Sequence, residues 1–212
     1  MRGLLRKEWY VAAKHCRIYL LLVVIFSVVS LLPMERENLF FTFYPGLIAG
    51  MLPGTLLSYD EQSKWSVYSG TLPYTRAQLV SAKYVVGLCA VGCVWVLWLA
   101  TTLARVLRGT AAAPEALLLQ MALLLCLSLL APSVTLPLML HFGVEKGRII
   151  NFGMVFLFCV SSLTLSDRLL ELTAGQPMLS AGALAAVLLA AAAVGYAVSW
   201  LVSIRLYRRR EL

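Results

Sequence analysis

The chain has 212 residues, 61% of them hydrophobic and 13% charged, with a formal net charge of +8. Soluble domains are nearer half apolar and a quarter charged, so the composition excludes an ordinary soluble protein and points to an integral membrane protein. The basic residues are dispersed along the chain instead of clustered, which argues against a nucleic-acid partner.

Residues 1–17 predict a basic amphipathic helix. At 100° per residue Leu5, Trp9, Ala12 and Cys16 share one side, while Arg6, Lys7, Lys14 and Arg17 face away. A helix of this kind lies along the membrane surface. Its basic part is too long for a signal peptide, and no A-x-A cleavage site follows.

Six uncharged stretches approach or exceed the roughly 20 residues that a bilayer core requires. They are 18–34, 38–59, 84–104, 116–142, 149–166 and 178–204. Their connections are short, so residues 1–212 read as a single all-α transmembrane domain with six spans. In the second span Gly46, Gly50 and Gly54 recur every fourth position, a pattern that lets another backbone approach closely. Whether that face packs within the chain, lines a path or meets a second subunit is open at this level. Pro45 and Pro53 predict a kink or break in the same helix.

The fourth span carries Pro132 and Pro137, with Ser128, Ser133 and Thr135 placed to satisfy the carbonyls that a proline frees. Beyond the fifth span, Ser166 as N-cap and Gly175 as terminator predict a short helix on the outer face. The sixth span is alanine-rich, ends around Gly195 and Ser199, and reads as packing alone. With the N-terminus inside, all Lys and Arg except Arg36, Arg105, Arg108 and Arg168 fall on the inner side. Both termini are therefore expected in the cytoplasm.

By these boundaries no charged side chain lies within a span, which disfavours ion-coupled transporters and channels with charged rings. The five cysteines sit in or beside spans, and none pairs by spacing into an extracellular framework. Cys89 and Cys93, one turn apart without a nearby His or carboxylate, read as small packing residues and not as metal ligands. His141 and Glu145, also one turn apart, read as a solvated pair at the inner end of the fourth span. No metalloprotease, nucleophile-elbow or phosphate-loop motif is present, so no catalytic, metal or cofactor residue is expected in this chain.

The longest polar passage, residues 58–84, interrupts this pattern. Asp60 and Lys64 are spaced as a helical i,i+4 pair. Trp65 and Tyr68 share a face, Gly70 stops the turn, and Leu72-Pro73 enforces an extended step. Thr75-Arg-Ala-Gln78 is a capping box that starts the third span. A polar knob of aromatic and charged groups suits a docking surface, although an interfacial turn would have the same composition.

This passage resembles the small bacterial permeases of ABC-2 type exporters. The likeness rests on an acid-rich start, a "[ST]-L-P-x-[ST]-R" elbow and a Lys-Tyr step into the third span. The matching positions are Asp60, Glu61, Lys64, Trp65, Thr71, Leu72, Pro73, Thr75, Arg76, Lys83 and Tyr84. The resemblance implies that residues 60–74 are the coupling segment docking in a groove of a separate cytoplasmic ABC ATPase. It also implies a second permease subunit, and ATP and Mg held by the ATPase alone. Larger members insert a longer re-entrant pair between spans five and six than this chain has room for.

The resulting expectation is an ABC exporter permease of a bacterial plasma membrane. Its cargo would be an amphipathic peptide, lipid or hydrophobic drug, peptides first, moved between protomers along the first, second and fifth spans. Two other classes are a secondary transporter or channel, and a non-transporting immunity or assembly factor. Lacking any phosphate-cradling loop, the purified chain should hydrolyse no ATP above background in a phosphate-release assay. Robust turnover with contaminants excluded would overturn the division of labour.

Overall fold

A computed structural model describes residues 2–31, 39–69, 71, 73–109, 114–147, 149, 153 and 178–209. The helices are α1 (Arg2–His15), α2 (Arg17–Val29), α3 (Leu39–Gln62), α4 (Trp65–Ser69), α5 (Arg76–Leu107), α6 (Pro114–Phe142) and α7 (Met178–Arg209). No strand occurs among the described residues. Among the described residues, three helices are long and apolar enough to cross a membrane: α5, the Leu117–Phe142 part of α6, and the Ala185–Arg208 part of α7. The bent pair α1–α2, with 69° between its arms, makes a fourth if it is one span. Except for residues 149 and 153, the expected fifth span lies outside the described residues, as does the helix after it.

The first expected span is shorter than its apolar run. α2 ends at Val29, and 13 residues of helix extend only about 20 Å. α3 covers the second expected span and continues to Gln62, and neither Pro45 nor Pro53 interrupts it. The expected break is therefore absent. Neighbouring helices enclose α3, with Phe43, Leu47, Ile48, Ala49, Leu52 and Leu56 all buried. That packing holds the helix through positions where an isolated peptide would open.

α3 packs against α2, α5 and α6, and α6 packs in turn against α7. The glycines of α3 set the α3–α6 spacing. A Cβ at Gly46 would stand 2.9 Å from Leu124, and one at Gly54 would stand 3.2 Å from the Met139 sulfur. At Gly50 it would meet the Ser128 carbonyl oxygen at 2.6 Å and the Ala131 Cβ at 2.8 Å. The glycine face is thus filled from within the chain.

α6 is likewise continuous through Pro132 and Pro137. Each proline removes the N–H that would bond the carbonyl four residues earlier, here those of Ser128 and Ser133. The first freed carbonyl lies against Gly50. The second accepts a 2.6 Å hydrogen bond from the Ser199 hydroxyl of α7. The hydroxyls of Ser128, Ser133 and Thr135 instead bond the carbonyls of Leu124, Leu129 and Ala131. Sequence reasoning located the defects but assigned their repair to the wrong donors.

Cys89 and Cys93 lie exposed on α5, so they are not part of the interior packing. His141 and Glu145 are both exposed and stand on opposite sides of Gly143, whose φ of +88° ends α6. Gly50→Leu should separate α3 from α6 and destabilise the chain by about 3 kcal/mol or more, since it drives a side chain into backbone. Gly92→Leu, at a position with nothing within 4 Å of a new Cβ, should be tolerated. Thermal unfolding of the two purified variants checks the contrast.

Candidate functional site

The C-terminal ends of α3, α6 and α7 and the N-terminal end of α5 meet at one end of the bundle, with α1 across them. Cut into this end is a cleft of about 60 Å³, lined by residues from Glu8 on α1 to Tyr207 on α7.

Buried charges form one wall. Glu8 is 1% exposed, and Asp60 and Lys83 are each 7% exposed. The Lys83 ammonium donates to both Glu8 oxygens, at 3.3 and 3.4 Å, and to Asp60 Oδ2. The Lys7 ammonium donates to Glu8 Oε1 at 3.1 Å and to Asp60 Oδ1. Two cations and two carboxylates therefore alternate in a closed, neutral ring joining α1, α3 and α5. Lys7 also lies 4.4 Å above the Trp65 ring, a cation–π contact that ties α4 to the same ring.

Lys83 and Tyr84 are adjacent, and their 100° separation on the helix sends them to different neighbours. Tyr84, fully buried, shares its hydroxyl with Ser199 Oγ at 2.8 Å and Ser203 Oγ at 2.7 Å. Its ring stacks on Trp200 with 5.4 Å between centroids, and its carbonyl accepts from the Tyr196 hydroxyl at 2.8 Å. The Lys-Tyr pair thus pins α5 to α1 and α3 on one side and to α7 on the other. α7 is a hydrogen-bonding partner, which an alanine-rich packing slab would not be.

Several sequence expectations change here. Asp60 is spent in the buried ring, so the predicted Asp60–Lys64 pair gives way to Asp60 with Lys7 and Lys83. Lys64 sits at φ +53° in the turn after α3, off the helical path that pairing required. The buried side of α1 carries Leu4, Glu8 and Ala12, while Trp9 is 60% exposed. The inward face is rotated by about one residue from the expected one, because Glu8 follows its cations inward. Arg76 donates to the Arg208 carbonyl at 3.0 Å, fastening the start of α5 to the end of α7.

The remainder of the passage stays at the surface. Glu61, Lys64, Tyr68, Thr71, Pro73 and Thr75 are exposed, and Trp65 is half-buried with its ring 5.4 Å from that of Tyr68. Leu72 lies outside the described residues. Thr75 accepts from the Gln78 N–H while the Gln78 side chain accepts from the Thr75 N–H, a complete capping box. Residues 3–208 match the family described as ABC-2 family transporter protein.

The chain belongs to the ABC-2 transporter family.

No curated protein and no solved structure matches it significantly. Family members are membrane translocation subunits, and membership implies an ABC ATPase as partner. In this ABC-2 family chain the buried ring adjoins the connection between α3 and α5 through the Lys7–Trp65 contact. Sequence reasoning missed Glu8 and Lys7, yet one signal was there: Glu8 is the single acid on an otherwise basic helix.

Lys83→Met would leave two buried carboxylates sharing one cation. Its expected cost is about 3–5 kcal/mol, the usual penalty for breaking one side of a buried ion pair. Adding Glu8→Gln restores neutrality and should recover more than half of the loss. A double-mutant cycle on thermal unfolding measures this, and simple additivity would show that the ring is not energetically coupled.

Proposed function

We propose that this ABC-2 protein is the membrane-spanning subunit of an ATP-driven exporter, paired with a second permease subunit and with separate cytoplasmic ATPases. The observation that carries this reading is the contrast within one short passage. Its base, Asp60 and Lys83, is locked in a buried ion ring, while Glu61, Lys64, Tyr68, Thr71 and Pro73 stand exposed above it. A projecting surface on a rigid base can receive a push and deliver it to several helices at once.

In this reading residues 60–74 form the coupling segment, with Tyr68 and the half-buried Trp65 as anchors in a groove of the ATPase. ATP and Mg are bound by that subunit. Closure of the ATPases moves α4, and the ring transmits the displacement to α1, α3 and the start of α5. Arg76 and Tyr84 carry it on to α7. Both termini are cytoplasmic, the membrane is a bacterial plasma membrane, and α1 lies in its inner interface. The apolar span surfaces favour an amphipathic peptide, a lipid or a hydrophobic drug as cargo, peptides first.

Tagged protein purified from native membranes should bring down an ATPase carrying a phosphate-binding loop. Tyr68→Ala and Lys64→Glu should each weaken that association, Tyr68→Ala by about 2 kcal/mol, without changing thermal stability. If both variants retain full association and cargo-stimulated hydrolysis, residues 60–74 are an interfacial turn and the coupling role fails.

A further inference from the structure

The two sides of α1 have opposite chemistry. Leu4, Glu8 and Ala12 face the bundle, and Glu8, the helix's one acid, is withdrawn into the ion ring. The outward side carries Arg2, Arg6, Trp9 and Tyr10, with Trp9 60% and Tyr10 74% exposed. At 100° per residue these four fall within an arc of about 100°. Arg17, just past the bend, donates from Nε to the Ala13 carbonyl at 3.1 Å, which folds it back along the same side. No exposed residue of α1 is acidic, so its outward charge is uniformly positive.

The adjoining helix fixes the depth of this face. α2 leaves at 69° and exposes Ile18, Leu21, Val24, Ile25 and Val28, a surface suited to lipid tails. A helix at the rim of such a surface sits at headgroup level, where Trp and Tyr are preferred. Guanidinium groups match phosphate oxygens bidentately, and a negative headgroup layer attracts them further. A zwitterionic headgroup offers phosphate too, but its ammonium cancels the net attraction.

We propose that the outward face of α1 binds anionic phospholipid headgroups, through Arg2, Arg6 and Arg17 with Trp9 and Tyr10 as interfacial anchors. Because Glu8 projects from the opposite side, headgroup charge then sets how firmly α1 is held over the ion ring. The proposal rests on the membrane-permease reading but not on the ATPase, so failure to recover an ATPase would leave its test unaffected.

The full chain is placed in nanodiscs of phosphatidylcholine alone, or with about a third phosphatidylglycerol, and amide hydrogen exchange is followed at low and high salt. α1 amides should exchange about tenfold or more slowly in the anionic discs at low salt. High salt should erase the difference, while α5 amides report an unchanged fold. The Arg2→Gln/Arg6→Gln/Arg17→Gln variant should lose the lipid response, and the corresponding Lys variant should keep most of it. Equal α1 exchange in both lipids overturns the proposal. So does a lipid response that survives high salt or persists in the Gln variant.

Discussion

Lys83 and Asp60 are charged groups placed where water scarcely reaches, and the geometry of this end of the protein follows from the need to neutralise them. Each would be costly alone, because a buried unpaired ion loses hydration without compensation. Asp60 and Glu8 are each shared between two ammonium groups, so the ring closes only when α1, α3 and α5 are all in place. α1 cannot rotate without leaving Lys83 short of a carboxylate, which explains why its inward face is built around Glu8 and not Trp9. The Lys7–Trp65 contact extends the constraint to α4 at the foot of the exposed passage.

The middle of the bundle obeys a related rule in uncharged form. Four prolines within α3 and α6 remove backbone donors in a region where unpaired carbonyls are expensive. At Ser133 the repair comes from α7 through Ser199, and at Ser128 the carbonyl lies against Gly50 of α3. Proline placement and helix packing are consequently one problem. At Ser133 the solution joins α6 to α7 by a backbone group that a regular helix would have kept to itself.

These two systems meet at the start of α5, where Lys83 belongs to the charged ring and Tyr84 to the hydrogen-bonded seam. A small shift of α5 would therefore disturb both neighbours. Tight, neutral networks of this sort deform poorly, so they favour concerted displacement over local yielding.

Much of this was decided by local chemistry and could be read from the sequence. Run length and hydropathy located α3, α5, α6 and α7, and Thr75 with Gln78 marked the start of α5 because a capping box needs only residues three apart. The glycine repeat marked a close-packed face, though not what fills it. The family likeness lay in a short passage whose turn and capping signals are also local. The burial of Asp60 and Glu8 was not legible, because Glu8 and Lys83 are 75 positions apart and Tyr84 and Ser203 are 119 apart. An acid, a lysine or a serine in sequence has no direction. Whether it faces water or a partner depends on which helices are brought together, and the energy of those long-range pairs is settled only in the assembled bundle.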